Sequence, residues 1–406
     1  MLILFKKYRL RIQIAALLVL VPAAIYLWTA PHRREIALQH AALPELQEEF
    51  RRQPENPRVA YYLGMRLREA GRIEEAQAAF KTAAAQTIDD EDIWLAWAST
   101  QSDSQQTFDI LTLYLTKHPL SARGHLMLAE NYQQNSAYKR AYEEASTATK
   151  LDPHNADAWR VEGVNALAWS RTAEGLEALR HAVALAPADW HNQLSLGDAH
   201  LEAGKRADAL ASFREAVRLA PEQPVAHLSL GKCLLEQPTT PADIELARQS
   251  LLRSATLGPE IPLVYLLLGQ AYVQQRDWSK AREALETARR LTPNDDKVSF
   301  ELARVYNRSG DQKSADLELA RHERLRLYKS EMRKLQEQII QKPNDPQLRL
   351  QLARLYAAHD DFTAAVQQYR QIIGRSPDST DARQELAQIE IRIPPAAVPL
   401  PTQPKP

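Results

Sequence analysis

Apolar residues recur at spacings of three and four positions along most of the chain, which is the spacing of one face of an α-helix. In one such segment Ala209, Phe213 and Ala216 follow this spacing, and Leu196 belongs to the segment before it. Gly204 lies between the two segments, where a turn with positive φ favours glycine. The pattern therefore predicts amphipathic helices that are joined in pairs by tight turns.

This helix pair is repeated, because a proline returns at a nearly constant interval. Successive prolines of the series are 34, 34, 34, 38, 34, 50 and 34 residues apart. Proline ends the helix before it, since it cannot donate a backbone hydrogen bond and clashes with the preceding turn. The prolines of the series are Pro119, Pro153, Pro187, Pro221, Pro259, Pro293, Pro343 and Pro377. One unit copied every 34 residues or so predicts an all-α solenoid.

The units resemble the tetratricopeptide repeat, in which small residues lie where two helices touch and a proline closes the second helix. Two units that match at five positions carry the resemblance: Leu196, Gly197, Ala209, Phe213 and Ala216 before Pro221, and Leu268, Gly269, Ala281, Leu285 and Ala288 before Pro293. Gly204 in the turn of the first unit and Tyr272 in the second also fit the pattern. The resemblance covers residues 55–391 and implies a right-handed α-solenoid of about nine helix-turn-helix repeats. The first unit has Ile88 in place of the proline, and the second unit is the least regular.

The N-terminal segment predicts a membrane anchor. Residues 12–30 carry no charge and would span about 28 Å as a helix, which nearly crosses a bilayer core of about 30 Å. Four basic residues within 1–11 favour a cytoplasmic N-terminus, so that a single transmembrane helix would place the repeats on the extracytoplasmic side. In a bacterium that side is the periplasm. The alternative is a cleaved signal peptide with a cut near Ala23 or Ala30.

The segments that flank the repeats carry no predicted chemistry. Residues 31–54 read as a juxtamembrane helical linker of one or two short helices around Pro44, or as a degenerate leading unit of the array. Residues 392–406 are rich in proline and predict a disordered tail. Within the array, the interval of 38 predicts a longer turn at residues 237–241, and the interval of 50 predicts one long helix over residues 312–341.

The long helix carries a two-heptad seam with alternating spacings of three and four. The seam residues are Leu325, Tyr328, Met332, Leu335 and Ile339. Two interpretations follow from the seam. The helix is a lengthened second helix that packs along the next unit, or it is an arm that pairs with a partner or with a second copy of the chain to form a homo-oligomer.

Charge and motifs argue against nucleic-acid binding and catalysis. The 51 basic and 51 acidic residues balance, so there is no global electrostatic case for nucleic acid. The sequence lacks phosphate-binding loops, a nucleophile elbow and the H-E-x-x-H metal motif. Cys233 is the only cysteine and predicts neither a disulfide nor a cysteine-based metal site. We therefore expect a non-catalytic protein without cofactor or metal.

The resemblance implies a concave groove lined by the first helices, which holds peptides or helical segments of partner proteins. Two rows of positions one helical turn apart would line it. The first row is Tyr61, Leu126, Arg160, Leu194, Leu228, Leu266, Phe300 and Leu350; the second is Met65, Glu130, Val164, Asp198, Lys232, Gln270, Arg304 and Arg354. The predicted binding residues are Leu194, Leu228, Leu266, Phe300, Leu350, Lys232, Arg304, Asn307, Arg308 and Arg354. This set forms an apolar floor that becomes basic towards the C-terminal end, which would suit an amphipathic helix or an extended peptide with an acidic end. The alternative is that the leucines pack between units and the charges are solvated.

The sequence thus predicts a membrane-anchored interaction scaffold that holds partners of an envelope assembly or export complex. One alternative is an accessory or regulatory subunit of an envelope enzyme or secretion machine. Another is a cytoplasm-facing adaptor similar to co-chaperones, although the lysine and asparagine pattern of a carboxylate clamp is not evident at the groove positions.

Overall fold

The fold consists of helices joined by short turns, and the part of the chain described by the computed structural model contains no strand. That part comprises residues 34–236, 240–343, 345–376 and 378–391. The predicted anchor at 12–30 and the predicted tail at 392–406 lie outside it. Within those ranges, no helix combines the length and the apolar character that crossing a bilayer requires.

Residues 34–40 are helical, and twenty further helices follow among the described residues. They are α1 Leu43–Arg52, α2 Pro57–Glu69, α3 Ile73–Gln86, α4 Glu91–Ser99, α5 Ser104–Lys117, α6 Ala122–Gln134, α7 Tyr138–Leu151, α8 Ala156–Ala168, α9 Thr172–Leu185, α10 Trp190–Glu202, α11 Arg206–Leu219, α12 Pro224–Glu236, α13 Pro241–Leu257, α14 Pro262–Gln274, α15 Trp278–Leu291, α16 Asp296–Arg308, α17 Gln312–Gln341, α18 Pro346–Ala358, α19 Phe362–Arg375 and α20 Thr380–Glu390. From α2 to α19 they form nine consecutive hairpins, and α20 follows as a single final helix. The all-α repeat fold is therefore confirmed, whereas the right-handed superhelix stays a prediction.

A regular hairpin has a first helix of 13 residues and a second of 14, as in α10 and α11. Several first helices begin after a short polar residue two positions beyond the periodic proline, as at Ser121, Asn155, Asp189 and Asp295. Asn155 accepts a hydrogen bond from the backbone N–H of Ala158 at 3.1 Å, and Asp189 caps α10 in a similar way. Proline therefore ends one helix while the Asx side chain satisfies the open N–H groups of the next.

The tight turn inside the hairpin requires a residue with positive φ. Gly71, Gly204 and Gly310 supply it without steric cost, at φ values of 75°, 70° and 85°. The equivalent turn position of other hairpins holds an ordinary side chain instead, as at Ser170 and Arg276, where φ is 61° and 60°. These turns therefore carry a small local strain of about 1 kcal/mol each.

The close contact between helices also needs glycine. A Cβ added at Gly64 would lie 2.7 Å from the ring of Phe80, and one added at Gly197 would overlap the ring of Phe213. Phe80 and Phe213 are fully buried. The predicted role of Gly197 as the point of close helix approach is thus confirmed.

The three irregular repeats differ in where they accommodate the change in length. In the second repeat the first helix, α4, has only nine residues. In the sixth repeat α13 has 17 residues, so most of the extra chain extends the helix and the prediction of a longer turn was mainly wrong. The N-cap Thr240 explains this, because its capping box with Asp243 starts the helix at Pro241. The eighth repeat confirms the long helix over Gln312–Gln341, with 30 residues.

The helices fall into two compact units, residues 1–219 and 220–406. In unit 1 the segment before the repeats is part of the core rather than a free linker. Leu46 on α1 is fully buried, and with Leu38 it belongs to the cluster that contains Val59 and Leu63 of the first repeat. The predicted linker at 31–54 therefore packs, over its described residues, as a leading pair of helices.

In unit 2 the predicted seam of α17 packs inside the chain. Leu325, Tyr328 and Leu335 are buried, and the last two belong to a cluster with Tyr356 and Tyr369 of the ninth repeat. Met332 and Ile339 are partly buried against the same cluster. The structure thus follows the first interpretation of the seam, a lengthened helix along the next repeat, and these five side chains do not form a free pairing surface.

The final helix α20 closes unit 2. Glu385 accepts two hydrogen bonds from the Arg354 guanidinium, at 2.6 and 3.0 Å from the same oxygen, and one at 2.7 Å from the hydroxyl of Tyr369. The Arg354 guanidinium is the main reason that the pKa of Glu385 lies below its ordinary value. Arg354, predicted to line the groove, is thus held by this contact.

Candidate interaction surfaces on the first helices

Unit 1 contains a pocket on the first helices of its first three repeats. Its volume is about 430 Å³. We call it the unit 1 pocket; its lining residues are Tyr61, Met65 and Arg68 on α2, Asp92, Leu95, Ala96 and Ser99 on α4, Arg123, Leu126, Met127 and Glu130 on α6, and Asn155 before α8. Residues of three consecutive first helices therefore line one pocket.

Opposite charges neutralise one another in the middle of the unit 1 pocket. The guanidinium of Arg123 lies 2.7 Å from a carboxylate oxygen of Asp92 and 3.3 Å from one of Glu91. The hydrogen bond to Asp92 raises the pKa of Arg123 above its ordinary value. This bridge joins α6 to α4 and leaves little net charge at the centre of the pocket.

The two ends of the unit 1 pocket carry charges without an opposite partner in direct contact, among the residues that the structure describes. Arg68, at the α2 end, is half-buried and reaches only neutral groups, the Ser99 hydroxyl at 3.4 Å and the Met65 sulfur at 3.3 Å. Glu130, at the α6 end, is half-buried, and burial raises the pKa of its carboxyl. The cation that opposes this shift, Arg160, already bonds Asp157 at 2.8 Å.

Between these ends the surface is apolar and aromatic. Tyr61 packs edge-on against Tyr62, with ring centroids 5.1 Å apart, and its centroid lies 6.0 Å from that of the buried Phe80. Burial is the main cause of the raised pKa of Tyr61. Leu126 and Met127 are half-buried. The floor is thus held in place by the core beneath it.

Unit 2 presents a different surface, which we call the unit 2 row. Three large apolar side chains on consecutive first helices are exposed: Val225 on α12 at 43%, Leu263 on α14 at 42% and Phe300 on α16 at 43%. The half-buried Leu228 adjoins Val225 on α12. Large apolar side chains exposed on neighbouring helices are candidates for an interaction surface.

Charges around the unit 2 row are mostly basic. Lys232 lies 3.8 Å from Glu236, and Arg304 lies 2.7 Å from Glu301. Three further side chains at the C-terminal side of the row are exposed: Lys297, Asn307 and Arg308. The row therefore combines apolar contact area with an excess of cations.

The predicted binding residues have different environments. Leu228, Phe300, Lys232, Arg304, Asn307 and Arg308 lie on the first helices of unit 2 with exposed or half-buried side chains. Leu266 and Leu350 are each only 6% exposed. Leu194 is half-buried on α10 of unit 1. Contact with a partner through this set stays a prediction, in which Leu266 and Leu350 contribute mainly to packing.

Sequence reasoning missed part of both surfaces. Val225 and Leu263 lie three positions before the predicted row, and Arg68 lies three positions after Met65. Extending the rows by one helical turn would have found all three. The short α4 could not be aligned with the other first helices, so Leu95 and Ser99 had no detectable signal.

Among the described residues, no group of three or more histidine, cysteine, aspartate or glutamate side chains is arranged to hold a metal. Cys233, the predicted inert thiol, is buried on α12.

Stacked helical hairpins with partner-accessible first helices define the class of helical-hairpin repeat proteins. More particularly, the chain belongs to the tetratricopeptide-repeat family. Two sequence models of the tetratricopeptide repeat match it, one at residues 40–91, 194–259 and 266–322 and the other at residues 346–389, and together they cover more than half of the chain. No curated protein matches the chain in sequence.

Several solved structures are similar to the chain at low sequence identity. Human IFIT1 is 13% identical, with a TM-score of 0.50 over 79% of this chain and 83% of that chain. One chain of the APC/C hetero-tetramer Cut9-Hcn1 is 14% identical, with a TM-score of 0.43 over 86% of this chain and 81% of that chain. MamA from Desulfovibrio magneticus RS-1 is 24% identical, with a TM-score of 0.39 over 42% of this chain and 94% of that chain. The similarity to IFIT1 concerns the fold alone.

Proposed function

We propose that the protein is a scaffold whose unit 2 row binds an acidic, amphipathic segment of a partner protein. Tetratricopeptide repeats are interaction modules, so a role in protein binding follows from the family. The single observation that carries the finer proposal is the exposure of Val225, Leu263 and Phe300 on three consecutive first helices.

The physical argument combines burial and charge. An amphipathic helix or extended peptide would cover the three apolar side chains, at about 25 cal/mol per Å² of apolar surface removed from water. Acidic residues at its edge would face Lys297, Arg304 and Arg308. Arg304 already shares its charge with Glu301, so the attraction is strongest near the other two cations.

A binding experiment with defined peptides tests this proposal. We expect a fluorescein-labelled amphipathic peptide with a Leu and Phe face and a Glu face to bind the full-length chain. A peptide with Lys in place of every Glu should bind at least tenfold more weakly. Added salt should weaken the binding of the acidic peptide, because it screens the attraction between opposite charges. Equal affinity for both peptides would reject the proposal.

Matched variants locate the binding site. The pair Leu263→Asp and Phe300→Asp changes exposed side chains and should reduce affinity for the acidic peptide by at least tenfold without unfolding the protein. Leu319→Asp, at a side chain 45% exposed on α17, is the control and should leave affinity unchanged. Equal affinity of the pair and the control would reject the unit 2 row as the site.

We further propose that residues 12–30 anchor the protein in a membrane with the repeats on the extracytoplasmic side. The uncharged segment and the basic residues before it support this orientation. A reporter that is active only outside the cytoplasm, fused after Pro406, should be active. Activity of a cytoplasm-only reporter at the same position would instead favour a cytoplasm-facing adaptor.

The proposed setting is an envelope assembly or export complex. A regulatory subunit of an envelope enzyme or secretion machine is the alternative. Purification from membranes distinguishes them, since a regulatory subunit should co-purify with one enzyme in fixed ratio and change its activity.

A further inference from the structure

The unit 1 pocket differs in chemistry from the unit 2 row. Its apolar floor lies between a cation at the α2 end and an anion at the α6 end, Arg68 and Glu130. We propose that the unit 1 pocket is a second binding site, which holds an extended protein segment with an acidic side chain at one end and a basic side chain at the other. This inference is independent of the proposal for the unit 2 row.

Arg68 is suited to bind a carboxylate. Its contacts are with a hydroxyl and a thioether, and both are weaker than a charge-assisted bond. A guanidinium offers five N–H donors in a planar fork, which fits a carboxylate with two parallel hydrogen bonds. An acidic side chain of a bound segment would therefore improve on the contacts that Arg68 makes within the chain.

Glu130 is suited to bind a cation. Its half-buried carboxylate lies in the pocket lining, and Arg160 is bonded to Asp157. Burial without a direct partner costs free energy, and a lysine or arginine of the bound segment would restore it.

The centre of the pocket adds selectivity. Arg123 and Asp92 already form an ion pair with each other at 2.7 Å, so neither side chain requires a charged group of the ligand as a partner. Leu126, Met127 and Tyr61 offer apolar contact instead. A segment with apolar residues between its charged ends fits this order of charge, apolar surface and charge.

The geometry of neighbouring first helices sets the spacing. Axes of packed helices lie about 8 to 10 Å apart, so α2 and α6, with α4 between them, are separated by roughly 16 to 20 Å. An extended peptide advances about 3.3 Å per residue. The acidic and basic side chains of the segment should therefore be about five or six positions apart.

The test uses labelled nine-residue peptides with blocked ends and the full-length chain. Two peptides carry Asp and Arg six positions apart, in either order, with Leu and Ala between them; a third has Asn and Gln at those positions. We expect one of the charged orders to bind at least tenfold more tightly than the uncharged peptide, by fluorescence anisotropy. Equal binding of all three peptides would overturn the proposal.

Variants with reversed charges then show which end of the unit 1 pocket binds the acidic side chain and which binds the basic one. Arg68→Glu and Glu130→Lys should each reduce the affinity for the preferred peptide at least tenfold. The double variant should bind the peptide with the opposite order of charges more tightly. Arg72→Glu is the matched control for Arg68→Glu, because Arg72 lies in unit 1 outside the pocket lining and this variant makes the same change in net charge as Arg68→Glu. Helical content, measured by circular dichroism, shows whether each variant is folded.

The outcomes separate this proposal from the one for the unit 2 row. Leu263→Asp with Phe300→Asp should leave the charged peptide unaffected. If folded Arg68→Glu and Glu130→Lys variants bind the peptide as tightly as the parent chain, the unit 1 pocket is not the site. The milder variants Arg68→Gln and Glu130→Gln decide the matter if a reversal fails to fold, since each should still weaken binding severalfold and unchanged binding would reject the pocket.

Discussion

The first helices of unit 1 and unit 2 belong to copies of the same type of repeat, but they present different surfaces. In unit 1 the apolar side chains are recessed, and charges of both signs are bridged across the pocket, as in the Arg123 and Asp92 pair. In unit 2 apolar side chains such as Phe300 are exposed and the surrounding charges are mostly basic. The repeat frame is thus held by small and buried residues, while the exposed positions of the first helices differ between the two units.

The largest effect is expected where unit 2 departs most from a regular repeat. Leu335→Ala on α17 should reduce the free energy of unfolding by about 2 to 3 kcal/mol, because Leu335 is 8% exposed and packs against the ninth repeat. Urea unfolding measures this change. Leu327→Ala, at a side chain 61% exposed on the same helix, should change stability by no more than about 0.5 kcal/mol.

Light scattering adds a second readout for the seam. Neither variant should change the mass of the particle, since the seam is occupied by the chain itself. A mass that falls in the Leu335→Ala variant alone, with unchanged stability, would instead show that α17 pairs two copies.

The frame of unit 1 can be disturbed at one helix crossing. Gly64→Ala should destabilise the protein by about 1 to 3 kcal/mol, because the added Cβ meets the fully buried Phe80 ring at 2.7 Å. Gly374→Ala in unit 2 is the control. No atom lies within 4 Å of its added Cβ, so alanine in this helix should stabilise by about 0.5 to 1 kcal/mol. In a thermal melt, a lower melting temperature for Gly64→Ala and a higher one for Gly374→Ala would confirm the close helix approach in unit 1. Shifts in the same direction would contradict it.

The turn positions of the two units allow a smaller, reciprocal test. Gly204→Ala in unit 1 should cost about 1 kcal/mol, because its φ is 70°. Arg276→Gly in unit 2, at φ 60°, should relieve strain and leave stability equal or higher by up to about 1 kcal/mol. Urea midpoints that move in the same direction for both variants would show that the turns are not equivalent.

One contact in each unit should make the stability of the protein depend on pH, and the two dependences should have opposite signs. In unit 1 the hydrogen bond from His125 to Glu144, at 2.6 Å, raises the pKa of His125 above 6.5. Its stabilising contribution is fully present below the ordinary pKa of histidine and is lost as pH rises through the raised value. In unit 2 Arg354 lowers the pKa of Glu385 below 4.5, so that contribution is present above the ordinary pKa and lost as pH falls through the lowered value.

Single substitutions isolate these contributions. His125→Gln should lose its stability difference from the parent chain as pH rises through the raised pKa of His125, and Glu385→Gln should lose its difference as pH falls through the lowered pKa of Glu385. Each difference should be no more than about 1 kcal/mol, because the contacts are partly open to water. A difference that stays constant from pH 3 to pH 9 would contradict the assignment.

Much of the fold could be predicted, because the determinants are local and periodic. The prolines, Gly197 and Gly204 each act within one hairpin, so their spacing predicts the repeat and the long helix α17. The packing of Leu46 onto the first repeat could not be predicted, because it depends on a contact with Val59 across a turn rather than on a repeat signal. The length of α13 was mispredicted for a similar reason, since the cap at Thr240 competes with the turn.

The candidate surfaces were less predictable than the fold. Position in the repeat identified Phe300 and Glu130 as groove residues, but exposure depends on the neighbouring side chains. Leu266 and Phe300 occupy the same repeat position, yet one is 6% and the other 43% exposed. Arg68 lacks an acidic partner on α4 because the residue of α4 that it reaches is Ser99. The sequence does not predict this contact, because the irregular second repeat could not be aligned with the others.

The central claim is that the two units carry two binding surfaces with different partners. The most direct measurement adds the acidic amphipathic peptide and the preferred charged peptide together, with distinct labels, to the full-length chain. We predict that both bind at once with unchanged affinities, that Arg68→Glu removes only the charged peptide, and that Leu263→Asp with Phe300→Asp removes only the acidic one. Competition between the peptides, or loss of both through either change, would contradict the account.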